Sequence, residues 1–346
     1  MNDTHDLVPI TQQLPSKMVL AGQIANHAAA NHVFEDYLSR KSDNTIVTQA
    51  AALSLFAQFL ERAGVTGLTG ECLQRDPECW RGVTWGLVEA FVKWLLVEGF
   101  SISSVNNRLS AVKTYARLAA KAGVISPADL ALIKTVSGYA DKEAKRVDER
   151  REVTRRGRKK AEAITLTSEQ AQMLKKRPDT PQGRRDALLM CLLLEHGLRV
   201  GEVARLQVTD FDLKRGELRF YRPKVNKVQR HKLTPNTLRA ARAYMNQDAA
   251  AMGRLILGTT KTGRVSTVPI DERGITKRVA HLAETVLGIE GLSAHDCRHH
   301  WATDAARNKT DPFSLQEAGG WSSLAMPRRY VKEAEIANQG VVLSVK

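Results

Sequence analysis

Cysteine is scarce in this chain. Cys72, Cys79, Cys191 and Cys297 are the only four among 346 residues, and none forms a C-x-x-C pair. Neither a disulfide framework nor a zinc knuckle is expected from such scatter, and a reducing cytoplasm suits it. Long apolar runs are missing as well. The most apolar stretch, "ALLMCLLL" at 187–194, is too short to span a bilayer and reads as a buried helix. The start, "MNDTHD", carries acids where a secretory signal would carry positive charge, so no membrane association or export is expected. No G-x-x-x-x-G-K-[ST] occurs, which removes the usual phosphate cradle of a nucleotide cofactor. Acidic residues fall short of basic ones, 37 Asp and Glu against 52 Lys and Arg, leaving a formal charge of +15. An excess of that size favours a polyanionic partner over the smaller margin that solubility alone requires.

What is present is mostly helical periodicity, on a chain long enough for about two domains. Residues 1 to about 30 are polar and alanine-rich without firm periodicity and read as a mobile leader. From 31 to 139 the pattern is helical. In "GLVEAFVKWLLVEGF", Leu87, Phe91, Trp94 and Leu95 make an apolar stripe that ends near Gly99. The next segment places Val105, Leu109, Val112, Tyr115 and Ala119 on one side of a helix and leaves Asn107, Arg108, Lys113 and Arg117 on other faces. Arg108 and Lys113 are therefore candidate contacts for a polyanion such as nucleic acid. Residues 140–164 read as a basic interdomain linker, in which 142–160 alone hold ten Lys or Arg against four Asp or Glu. A charge run of this kind is usually solvated. Between two globular pieces of a basic protein, though, Arg155, Arg156 and Arg158 are well placed along a phosphate backbone.

The second half opens with a capping box, Thr167 followed by Gln170, and a further helix starts at Thr180-Pro181 and closes near Gly197. Alternation in "LRFYR" and a second extended run, "QRHKLT", predict a β-hairpin joined through "PKVNKV". Helices return from 273. The expected fold is mainly α with a small antiparallel β-sheet.

The stretch "HDCRH" at 295–299 has two histidines four apart, as in the zinc-protease pattern H-E-x-x-H. On a helix, however, Arg298 shares the face of His295 and His299, and a fixed positive charge there opposes a divalent cation. No metal is expected.

Four segments fall in a different order of meaning. "HGLRVGEVARL" (196–206), "KVNK" (224–227), "HDCRHH" (295–300) and "GGWSSLAMPRRY" (319–330) together resemble the boxes of the tyrosine recombinase, or phage integrase, family. The resemblance covers 165–334 closely, as a mixed α/β catalytic domain, and 31–139 more loosely, as a helical core-binding domain. It implies that Arg199, Lys224, His295, Arg298, Trp321 and Tyr330 occupy catalytic positions, with Glu202 and His299 in support. Trp321 stands where most members have histidine, Ala318-Gly319-Gly320 replaces the common Leu-Gly, and the connection before "KVNK" is one residue longer than usual, so Lys227 competes with Lys224.

The chemistry implied is cleavage and rejoining of DNA strands through a covalent 3′-phosphotyrosyl intermediate. Attack at phosphorus builds charge on the nonbridging oxygens, which Arg199 and Arg298 suit as permanently charged bidentate donors. Tyr330, with an ordinary phenol pKa of about 10, needs neighbouring cations or a base to attack. Lys224 suits protonation of the departing 5′ oxygen, and His295 suits orienting the phosphate or exchanging a proton with Tyr330. The indole of Trp321 donates a hydrogen bond but does no acid–base work. The scheme calls for no cofactor. It implies double-stranded DNA with specific recombination sites, a homotetramer on two such sites, DNA integration or a related rearrangement, and leaves room for an accessory recombinase or directionality factor. The tail at 335–346, ending in Val341, Val342, Leu343 and Val345, is a candidate for docking on a neighbouring protomer. Two other readings share part of this evidence: a type IB topoisomerase or telomere resolvase with the same chemistry, and a DNA-binding regulator that has lost cleavage.

Overall fold

In the structure, a computed structural model, residues 16–156, 163–260 and 262–334 are described, the last four by backbone alone. The beginning of the leader, Arg158 and the tail at 335–346 lie outside the described residues. The chain divides into two compact units, Met1–Ala161 and Glu162–Lys346. None of the described helices is long and apolar enough to cross a membrane.

The first unit is helical: α1 (Lys17–Ser39), α2 (Asp43–Arg62), α3 (Gly70–Arg75), α4 (Trp85–Val97), α5 (Ile102–Lys121), α6 (Pro127–Thr135) and α7 (Asp141–Asp148). The few aromatics of the chain concentrate here. Phe56, Trp80, Phe91 and Tyr115 are fully buried, with the Phe56 and Phe91 rings 5.0 Å apart and Trp80 stacked between Phe56 and Tyr115. On α5 the predicted stripe Val105, Leu109, Val112, Tyr115 and Ala119 is buried throughout. On α4 the buried set is Val88, Phe91, Val92 and Leu95, so the stripe is rotated slightly from the predicted one.

Three expectations are corrected in this unit. Residues 17–30, read as a mobile leader, are the first half of α1. Ser16 caps the helix by accepting from the Val19 N–H, and alanine's helix propensity supplies the rest without an apolar stripe. Residues 141–156, read as linker, contain α7 and then fold back on their own unit. The Arg151 guanidinium donates to the carbonyls of Leu96 and Phe100, at 3.1 and 3.0 Å, and so caps the end of α4. Finally, Cys72 and Cys79 are joined as a disulfide, with Cα atoms 6.1 Å apart. Spacing alone hid this pair. The short α3 and the 3-10 turn Pro77–Trp80 reverse the chain, and the Trp80 indole donates to Leu73 O to hold the reversal closed.

The second unit is built around α9 (Pro181–Leu194), which is buried on nearly all sides: Leu188, Leu189, Leu192 and Leu193 are fully enclosed. Against it or its neighbours pack α8 (Ser168–Lys175), α10 (Val200–Arg205), α11 (Pro235–Gln247), α12 (Glu272–Leu287) and α13 (Ala294–Arg307), followed by α14 (Pro312–Gly319) and α15 (Ala325–Ala334). The Thr167–Gln170 capping box forms in both directions, and Thr180 caps α9 through the Gly183 N–H. A three-stranded antiparallel sheet runs β1 (Phe211–Asp212), β2 (Glu217–Arg222), β3 (Lys227–Lys232), and β2 and β3 are the predicted hairpin. A second ladder, β4 (Leu257–Thr259) with β5 (Val265–Pro269), has no counterpart in the sequence reading. Along β2 the alternation turns Leu218, Phe220 and Arg222 inward and Arg219 and Tyr221 outward.

Candidate active site

Two of the residues named from widely separated segments, Arg199 and Arg298, meet at one turn. The chain leaves α14 through Gly319 and Gly320, and Gly320 adopts φ +58°, the left-handed conformation that ends a helix. The last carbonyls of a helix lack intrahelical partners and carry its negative dipole end. Here guanidinium groups supply both hydrogen bonds and charge. Arg199 Nη2 donates to Gly320 O at 3.2 Å, and Arg298 Nη2 donates to Gly319 O at 2.6 Å. A third arginine, Arg222, donates to the carbonyls of Ala318 and Gly319.

Each arginine arrives by a different route. Arg199 stands just before α10, where its N–H donates to one oxygen of Glu202 while its Nη1 donates to the other, at 2.8 and 2.9 Å. Glu202 is buried and is therefore the local clamp rather than a reacting group. Arg298 lies on α13 with its other nitrogen donating to Gly197 O, and its guanidinium faces the rings of Trp321 and Trp301 at 4.8 and 5.8 Å. Gly197, at φ +58°, lies so close to Trp301 that a Cβ would come within 2.2 Å of the indole, so only glycine fits there. Arg298 is 3% exposed whereas the Arg199 side chain is 24% exposed. Burial, then the like charges of Arg199 and Arg222, pushes Arg298 down to about 9, which still leaves it charged at neutral pH.

Tyr330 comes from α15 and is 2% exposed. Its ring stacks obliquely on Trp321, centroids 5.6 Å apart, and receives the edge contact of His299 at 5.0 Å. The tyrosine thus sits beside the arginine cluster, among the groups that act on the Arg298 charge. His299, not His295, is the histidine packed on its ring. His295 is exposed on the first turn of α13; partial burial and the charges of Arg298 and Arg329 hold its pKa down despite Asp296. His300 turns away and pairs through Nδ1 with Leu166 O at 3.1 Å.

Lys224 lies at the hairpin tip, in a 3-10 turn closed by Asn226 in the left-handed region. It is exposed and makes no hydrogen bond or ion pair among the described residues, while Lys227, the first residue of β3, is held by Glu317. The positions read as DNA contacts in the first unit have internal partners. Arg108 donates to Ser104 O and lies 4.3 Å from the Phe100 ring, and burial lowers its pKa. Lys113 donates to the carbonyls of Lys134 and Val136, both at 2.8 Å, so it ties α5 to the end of α6. Arg156 pairs with Glu98 at 2.9 Å, and Arg155 is half-buried with partners of its own.

The model of the phage integrase family matches residues 165–336, the stretch that carries every residue of this cluster. The chain belongs to the phage integrase, or tyrosine recombinase, family. It is a tyrosine-type site-specific DNA recombinase. Among its relatives, tyrosine recombinase XerC of Lactobacillus delbrueckii subsp. bulgaricus is 25% identical over 247 residues, covering 68% of this chain and 75% of that protein. Tyrosine recombinase XerD of Neisseria meningitidis serogroup B is 28% identical over 183 residues, covering 51% of this chain and 61% of that one. In fold the recombinase is similar to a lambda integrase dimer bound to a COC′ core site, with TM-score 0.57 and 16% identity over 87% of this chain and 96% of that one. It is equally similar to the Tn1549 transposon integrase in complex with transposon right end DNA, with TM-score 0.57 and 15% identity over 87% and 94%.

Sequence reasoning missed one member of the recombinase cluster, Arg222. The signal was available: in "LRFYR" it falls on the same face as Leu218 and Phe220, and a charged residue at an inward strand position needs a buried partner.

Proposed function

We propose that this recombinase binds duplex DNA at specific sites and exchanges strands through a covalent link to Tyr330. The phenolic oxygen attacks the scissile phosphorus, an O–P bond forms as the bond to the 5′ oxygen breaks, and the 3′ phosphate stays esterified to the tyrosine. The phenolic proton passes to a base, for which His299, packed on the Tyr330 ring, and His295 on the same helix are the candidates, and the departing 5′ oxygen takes a proton from Lys224. A 5′ hydroxyl from a second duplex reverses the step, so the energy of the cut bond is kept. Arg199 and Arg298 neutralise the nonbridging oxygens, and their placement in a largely buried site strengthens that interaction relative to water. Trp321 orients Arg298 and Tyr330 between them. Recombination of two sites calls for four protomers.

The observation that carries this reading is that Arg199 and Arg298 converge on the 318–320 turn while Trp321, directly after it, packs on both Arg298 and Tyr330, a set drawn from positions 199 to 330 of the chain. A tyrosine at 2% exposure does not meet a phosphate as it stands. Engagement of DNA therefore shifts α15 or swings Trp321 aside, which couples cleavage to assembly on the site. Lys224 makes no hydrogen bond or ion pair among the described residues, which favours it over Lys227 as the general acid, since Glu317 would have to release the latter.

A nicked suicide duplex tests the reading on a denaturing gel. Wild-type protein is expected to trap a covalent protein–DNA adduct, and Tyr330→Phe to lose it entirely while still shifting the duplex. Specific binding without any wild-type adduct would instead mark a regulator that no longer cleaves. On a plasmid with two sites, defined deletion or inversion is expected; relaxation alone would mark a topoisomerase.

A further inference from the structure

Arg222 is the last residue of β2, and the strand's alternation drives it inward beside Leu218 and Phe220 to complete burial. An arginine in such a position is costly unless its charge and N–H groups are matched. Among the described residues its Nε has no hydrogen-bond partner, and the partners of its two Nη atoms all belong to the proposed active site. Its Nη1 meets both carboxylate oxygens of Glu202 at 3.2 Å and donates to Gly319 O at 3.0 Å, and its Nη2 donates to Ala318 O at 2.8 Å. The guanidinium also lies 4.8 Å from the centre of the Phe220 ring. At Gly320 the fit is so close that a Cβ would stand 2.6 Å from Arg222 Cδ.

These contacts join three pieces that cleavage needs in register. Glu202 holds Arg199, the 318–320 turn receives Arg298 and leads into Trp321, and β2 continues into the tip that carries Lys224. We propose that Arg222 is a positioning residue for strand cleavage: buried where DNA does not reach it, it sets Arg199 through Glu202, Arg298 and Trp321 through the 318–320 turn, and the hairpin of Lys224 through its own strand. Removing one partner of a buried ion pair leaves the other uncompensated. Without Arg222, Glu202 would lose its second cation and the turn two of its donors.

This assignment rests on the cleavage reading above, and the experiment separates the two. Single-turnover cleavage is measured for wild type, Arg222→Met and Arg222→Lys on a nicked duplex bearing the cut position mapped with the wild-type protein. The same duplex is then used with a methylphosphonate at the scissile position, which removes one nonbridging charge. With the normal phosphodiester, loss of aligned transition-state donors predicts about a hundredfold slower cleavage for Arg222→Met and about tenfold for Arg222→Lys, with DNA affinity within about twofold of wild type. On the methylphosphonate, which asks less of the arginine clamp, both deficits are expected to shrink severalfold. Deficits equal on the two substrates would show a merely structural role and overturn the proposal, as would unimpaired cleavage. If Arg222→Met does not fold, the Arg222→Lys comparison decides by the same criterion. Failure of wild type to form an adduct on either substrate would defeat the cleavage reading instead.

Discussion

At the scale of single residues, the second unit stores several ionisable groups in states that water would not favour. His196 is buried beneath the hairpin, where its Nε2 pairs with Thr237 Oγ1 at 3.1 Å and its ring stacks on His231. Burial pushes its pKa down to about 4, against the smaller opposing pull of Glu195. A histidine held neutral in the fold contributes its full stability above the unfolded pKa of about 6.5, and that contribution drains as pH falls toward 4. By pH 5 the loss from His196 alone is on the order of 2 kcal/mol. Urea unfolding of the second unit at pH 7.5 and pH 5 should show it, and His196→Gln should lessen the difference between the two pH values; an unchanged pH dependence in that variant would assign the effect elsewhere. Residue identity was the most legible level of the active site. Arg199, Arg298, Trp321 and Tyr330 were named from motif order, and Arg222 lay unread in the pattern because an isolated strand shows which residues face inward but not what they meet there.

Elements are where expectation and structure part most often. Caps and amphipathic stripes are local, and the Thr167–Gln170 box, the Thr180 cap and the α5 stripe came straight from spacing. Closures made by tertiary contact were not readable. Arg151, one cation among many in a charged run, is the residue that caps α4, and Cys72 meets Cys79 only because α3 and the following turn reverse the chain. A cross-link around so short a loop removes unfolded-state entropy worth about 2 kcal/mol. Reduction, or Cys79→Ser, is accordingly expected to lower the melting temperature of the first unit by several degrees while leaving the second unit's transition in place. An unmoved first transition would show that the pairing adds nothing to stability.

At the scale of the whole molecule, each unit has a main core of its own. The aromatic cluster around Phe56 and Trp80 and the aliphatic one around α9 share no residue, so each unit has the means to hold its own fold. The net charge of +15 belongs to the molecule rather than to any one motif. If roughly six phosphates are neutralised on binding, affinity for duplex DNA should fall about a thousandfold between 50 and 200 mM salt. Gel shifts across that range measure the slope, and a nearly flat one would remove phosphate contact as the main source of affinity.

The sequence by itself determined the helical character of the first unit, the hairpin and the sign of the charge. All of these depend on residue type and on spacing within a dozen positions. Tertiary structure alone decided that three guanidiniums share the end of α14, that Tyr330 is covered, and that Lys113 serves the carbonyls of Lys134 and Val136. Those facts depend on which surfaces meet across long stretches of chain, and a buried polar group takes its partner from whatever element the fold brings against it.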